Sequence, residues 1–195
     1  GMYSPGYTPA IDGQWDNLYS ALTQYRKMES LYNEENDTQK AQDEAFMLAA
    51  KVQLYDFFAA TVDIFGDMPF SKACTLPLTN DVNGSYAPYD KAEDIYRTIL
   101  GELKEIAPRF RLVTVPKNFS TQDFINLGNM EKWERYANSL RLRLAMRVAT
   151  QGALQEEGRA AIKEMLENPA GYPLVEEQEN NIFIINQKSG QLNFT

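Results

Sequence analysis

A chain of 195 residues with 44% apolar and 12% aromatic side chains can bury a sizeable core within one domain. Its 19 basic and 27 acidic residues leave a net charge of −8, which disfavours nonspecific binding to nucleic acid or to anionic lipid surfaces. Histidine is absent and Cys74 is the only cysteine, so the commonest general base, the commonest zinc ligand, every Ser-His or Cys-His nucleophile pair and any intrachain disulfide are excluded.

The pattern predicts five helices with irregular connections. The first runs from about Gln14 to Leu31 with Trp15, Leu18, Leu22 and Tyr25 on one face, and the polar stretch Asn33 to Gln39 ends it. The second spans roughly Gln39 to Phe65. Leu48, Val52, Tyr55, Ala59 and Val62 form its apolar stripe, Gly66 permits a positive-φ cap, and Pro69 prevents the helix from resuming. Between Gly66 and Pro88 the composition favours turns, and a loop of that length is expected to be exposed and functional.

A third helix is expected to open at Asp90, with Glu93 completing a capping box, and to stop at Pro108. Arg109 to Gly128 reads as an irregular connection in which Asn118, Ser120 and Thr121 form turns. The fourth helix carries Trp133, Tyr136, Ala137, Leu140, Leu144 and Val148 at steps of three and four. Arg135, Arg141, Arg143 and Arg147 interleave with that stripe, while Leu142 and Met146 add apolar surface on another side, so contact with protein on two sides is expected. A fifth helix runs from about Leu154 to Leu166 and closes at Asn168-Pro169. Ile182 to Ile185 suits a short strand or an extended segment. No run of eighteen apolar residues appears, so no membrane-spanning helix is expected, and Gly1-Met2 reads as an expression remnant.

Asp63 and Asp67 flank the end of the second helix, where a carboxylate is disfavoured by the helix dipole unless a cation answers it. Arg143 and Arg147, one turn apart, are the expected partners in a structural network. A calcium site built from Asp63, Asp67 and loop carbonyls is the alternative, without EF-hand spacing. The adjacent pairs Glu156-Glu157 and Glu176-Glu177 have the composition of an acid and a base, but neighbours on a helix point about 100° apart, so solvated surface explains them better than catalysis.

Two segments carry a family resemblance. Lys132 to Arg147, KWERYANSLRLRLAMR, resembles the Lys-Trp…Ala-Asn-Ser-Leu-Arg-Leu-Arg run of the SusD/RagB family, the lipid-anchored glycan-capturing proteins of Bacteroidetes outer membranes. Thr61 to Ala73, TVDIFGDMPFSKA, resembles the helix end and exit loop of its SusD-like subgroup. Trp15 to Tyr19, Tyr89 to Leu103 and Gly128 to Trp133 match the family more weakly, with Asn129 where an Asp is usual.

The resemblance implies an all-α fold, a tetratricopeptide-like helical scaffold with long irregular loops. It also implies a single helical domain over residues 1–195 that is part of a longer chain, without the lipid-anchoring cysteine. The implied role is non-catalytic capture of a glycan or other nutrient at the cell surface, without cofactor or resident metal, in partnership with a SusC-type TonB-dependent transporter. A helical-repeat adaptor gripping a protein or peptide, and an all-α glycosidase, are the competing classes. Sugar binding needs an aromatic face for the C–H surface of a pyranose and polar groups for its hydroxyls. Tyr86 and Tyr89, with Asp81 and Asn83 in the same loop, offer that composition.

Overall fold

A computed structural model describes residues 9–82, 86–150 and 152–176, together with the backbone of 184–185 and 192–193. Among the described residues there are seven helices. Two long ones, α1 (Pro9–Glu34) and α2 (Asp37–Phe65), pack side by side, and α4 (Ala92–Arg109), α6 (Met130–Val148) and α7 (Gln155–Glu167) continue the stack. Short helices α3 (Leu76–Thr79) and α5 (Lys117–Gln122) lie in the connections. Strand structure is limited to two-residue bridges: β1 (Met68–Pro69) pairs antiparallel with β2 (Tyr89–Asp90), and β3 (Ile184–Ile185) with β4 (Leu192–Asn193). The fold is all-α and of the tetratricopeptide-like type. Of the predicted Ile182–Ile185 segment, residues 182 and 183 lie outside the described residues.

The predicted stripes form the core. Leu18, Leu22 and Tyr25 from α1 meet Leu48, Val52, Tyr55, Ala59 and Val62 from α2, and Trp133, Ala137, Leu140 and Leu144 bring in α6. By length and composition α2 is apolar enough to cross a membrane, yet 56% of its most apolar window is buried within the fold. Its hydrophobicity is that of a central core helix rather than of a lipid-facing one. Between α6 and α7 the approach is close. A Cβ on Gly158 would stand 2.7 Å from the Ala145 carbonyl oxygen, so any side chain there would force the two helices apart.

Several boundaries differ from expectation. The polar stretch after α1 breaks the chain for only two residues, because Asn36 and Gln39 form a capping box that starts α2 at once. The box expected at Asp90 and Glu93 does not form. Asp90 turns back to accept from the amides of Phe70 and Ser71 at 2.9 and 3.0 Å, and the first amide of α4, Ala92 N–H, is capped by Asp67 from the end of α2 at 2.9 Å. Nor does Pro108 stop α4. The helix reaches Arg109, and the amides of Phe110 and Arg111 close tighter turns on the carbonyls of Ala107 and Pro108.

Candidate functional site

The exit loop that follows α2 is built, not slack. Gly66 takes φ 75° and donates its N–H to Val62 O, which ends the helix. Tyr19 of α1 donates to Pro69 O at 2.7 Å, while β1 pairs with β2 twenty residues later. Asp90 completes the fastening with a third bond, from Ser71 Oγ at 2.7 Å. Desolvation pushes the Asp90 carboxyl up, but the hydrogen bonds from Ser71 and Phe70 outweigh it and hold the group below the ordinary aspartate range.

Because its pKa is lowered on folding, Asp90 contributes stability above the unfolded value, about 3.9, that is lost as pH falls through the folded one. Protection of the Phe70 and Ser71 amides against exchange, taken relative to their intrinsic rates, is therefore expected to fall below about pH 4. Unchanged exchange there while α4 opens first would contradict this fastening.

The base of the loop is pinned, and several of its described residues face solvent. Tyr86 is 97% exposed and Tyr89 67%, so neither ring is spent on packing. Asp81 is also exposed, with its N–H bonded to Thr79 Oγ1 at 3.2 Å, and Asn83 lies outside the described residues.

The carboxylates at the end of α2 are distributed differently from the expected four-member network. Arg147 Nε stands 2.7 Å from Asp63 Oδ1, and Tyr96 of α4 donates to the same oxygen. Arg143 instead pairs with Asp56, which also accepts from Tyr136 at 2.7 Å. Asp67 faces α4, where the Ala92 amide above all, with Lys91 at 3.4 Å, keeps its carboxyl below the ordinary range. Asp63 and Asp67 thus serve different neighbours and do not converge as a calcium cage. Among the described residues no group of three or more acidic or cysteine side chains is placed to hold a metal.

Asp56 escaped the sequence reading although a signal existed. It lies seven residues, two turns, before Asp63 on one face of α2, so it offers a second carboxylate on the side that meets Arg143 and Arg147. Arg143 is 62% exposed on its side chain, so Arg143→Ala is expected to cost under about 1 kcal/mol. Thermal unfolding decides this, and a loss of several kcal/mol would mean the pair is shielded from water.

The polar residues of the Lys132–Arg147 run have a task of their own. The chain leaving α7 turns over residues 169–172 and then passes against one turn of α6 as a strap over residues 173–175. Asn138 Nδ2 donates to Pro173 O at 3.1 Å, Arg135 Nη1 to Leu174 O at 2.7 Å, and Ser139 Oγ accepts from Val175 N–H at 2.8 Å. Arg111, paired with the buried Glu134, donates to the Ala170 carbonyl at 3.3 Å. Buried Arg141 bonds Glu164 of α7 at 2.8 Å and lies 5.5 Å from the centre of the Tyr172 ring.

The geometry is that of a stacked-helix scaffold that grips its own strap and exposes tyrosines on a pinned loop. The chain belongs to the SusD-like family, whose model, described as starch-binding and associating with the outer membrane, matches residues 6–195. Similar solved structures include a SusD homologue from Parabacteroides distasonis, 22% identical with a TM-score of 0.72, covering 97% of this chain and 34% of that one. A SusD-like protein from Bacteroidetes AC2a is 26% identical with a TM-score of 0.65, covering 91% and 29%. One from Bacteroides thetaiotaomicron is 16% identical with a TM-score of 0.62, covering 89% and 32%. The chain therefore spans about a third of the length of these structures. Among curated proteins none matches it.

Proposed function

We propose that this chain is the helical part of a longer nutrient-capturing protein at the outer-membrane surface, which binds a glycan without transforming it and passes it to a SusC-type TonB-dependent transporter. The observation that carries the reading is the family match across residues 6–195. The exit loop supports it, since a fastened base and the exposed Tyr86 and Tyr89 suit stacking on a sugar face with little ordering cost. Asp81 and Asn83 are the proposed hydroxyl-reading groups. Anchoring would come from a lipidated cysteine outside these residues, because Cys74 is partly buried within the fold.

Catalysis is not part of the proposal. Glu157 is engaged by Arg97 at 3.2 Å and Glu156 by Arg159 at 3.3 Å, as expected of surface ion pairs rather than of an acid and base aimed at a common substrate. Glu177 lies outside the described residues.

Titrating maltooligosaccharides into the labelled chain while following loop amides by NMR tests the reading. Binding near millimolar is expected, and Tyr86→Ala should weaken it roughly five-fold, the worth of about 1 kcal/mol of stacking. Hydrolysis that disappears on replacing one carboxylate would sink the binding-protein assignment.

A further inference from the structure

Three polar side chains form one buried line along α6. Glu134, Asn138 and Arg141 follow one another at steps of four and three and are only 3%, 1% and 4% exposed. Their charges are answered, since Glu134 meets Arg111 at 2.6 Å and Arg141 Nη2 meets Glu164 at 2.8 Å. Their hydrogen-bonding capacity is not. Arg141 Nε and Nη1 and Asn138 Oδ1 are closed to solvent and have no hydrogen-bond partner among the described residues.

Folding strips water from such groups, and a donor or acceptor left unmet bears the whole loss, so buried polar atoms are nearly always bonded to something. The unmet atoms are complementary. Arg141 and Asn138 stand one turn apart on the same face, the first offering N–H groups and the second a carbonyl oxygen. The orientation of the amide is fixed, because Nδ2 is needed to donate to the Pro173 carbonyl at 3.1 Å, which leaves Oδ1 as the atom without a partner. The Tyr172 ring, 5.5 Å from the Arg141 Cζ, answers charge but supplies no lone pair for the N–H groups.

What fits between them must accept from a guanidinium and donate to an amide oxygen. An anion can do the first and not the second, whereas water does both. A further segment of a longer protein cannot serve either, since these atoms are already closed off within this chain.

We propose that α6 keeps resident water beneath the strap, accepting from Arg141 Nε–H or Nη1–H and donating to Asn138 Oδ1. The water ties the amide that holds the strap to the ion pair that joins α6 to α7, so both segments are fastened to α6 through one hydrogen-bonded set. This site is independent of the sugar contacts assigned to the exit loop, and each can fail without the other.

NMR on the isotope-labelled chain tests this without a substitution that endangers folding. The Arg141 Nε–H and Nη1–H protons are expected to cross-relax with water with opposite sign in the laboratory and rotating frames, the signature of a held rather than a passing water. These signals should survive Tyr172→Phe and Ser139→Ala, which remove the neighbouring hydroxyl protons that exchange with solvent. A crystal structure should place an oxygen about 2.8–3.0 Å from both Asn138 Oδ1 and one of the two Arg141 nitrogens. Absence of the cross-relaxation, or its loss in either hydroxyl variant, would overturn the proposal. So would a direct bond from Arg141 to Asn138 Oδ1 with nothing between them, or an anomalous peak at this position after soaking in bromide, which would make the occupant an anion.

Discussion

Replacing Trp133 by alanine is expected to cost about 3–5 kcal/mol. The indole is 1% exposed and stacks between Phe110, 6.1 Å away, and Tyr136, 5.7 Å away, so its removal opens a cavity where α4 and α6 meet. Its Nε1–H also donates to Asp123 Oδ2 at 2.7 Å. Asp123 in turn accepts from the amides of Ile125, Asn126 and Gly128, so the tryptophan helps hold the turn that feeds α6. Urea unfolding of Trp133→Ala and Trp133→Phe separates the two contributions. Phe fills much of the space but cannot donate, and should lose about 1–3 kcal/mol. Identical losses in both variants would place the whole effect in the hydrogen bond.

Arg141→Ala should be the next most damaging change, at about 2–3 kcal/mol. The full penalty for stranding a buried charge is not expected. Glu164 is 32% exposed and keeps Lys104 at 2.6 Å and the Tyr172 hydroxyl at 2.7 Å. Desolvation raises the Glu164 carboxyl, but the bonds from Arg141, Lys104 and Tyr172 prevail and bring it down to about 2. A carboxylate whose pKa falls on folding stabilises the protein above its unfolded value, about 4.3, and loses that contribution as pH drops towards the folded one. Arg141→Met should therefore flatten the dependence of stability on pH between about 4 and 2. A variant with the wild-type slope would show that Lys104 and Tyr172 suffice.

Helices were legible in the sequence wherever one apolar stripe decides the outcome. Leu48, Val52, Tyr55, Ala59 and Val62 are buried as a set because a step of three or four on α2 leaves them only one direction to face. Helix ends were less legible, since spacing shows which side chain could cap an amide but not which amide lies nearest after folding. Asp90 has the right offset to Glu93, yet the exit loop brings the Phe70 and Ser71 amides to it, and Asp67 reaches α4 from the start of that loop, just beyond α2. Tertiary geometry also hid Asp56, Glu134 and Glu164, whose cationic partners lie 87, 23 and 23 residues away in the chain. The loop tyrosines could be read as chemistry but not as a located site, because composition alone does not reveal that their base is fastened.

The strap over α6 is held almost wholly through its main chain. Asn138, Arg135 and Ser139 address two carbonyls and one amide, groups that nearly every residue supplies in the same place. The burden of identity in these bonds thus falls on the helix and not on the segment it carries, and a proline at position 175 would delete the N–H that Ser139 needs. A few polar side chains on one turn of a helix can in this way set the path of the segment that passes over it.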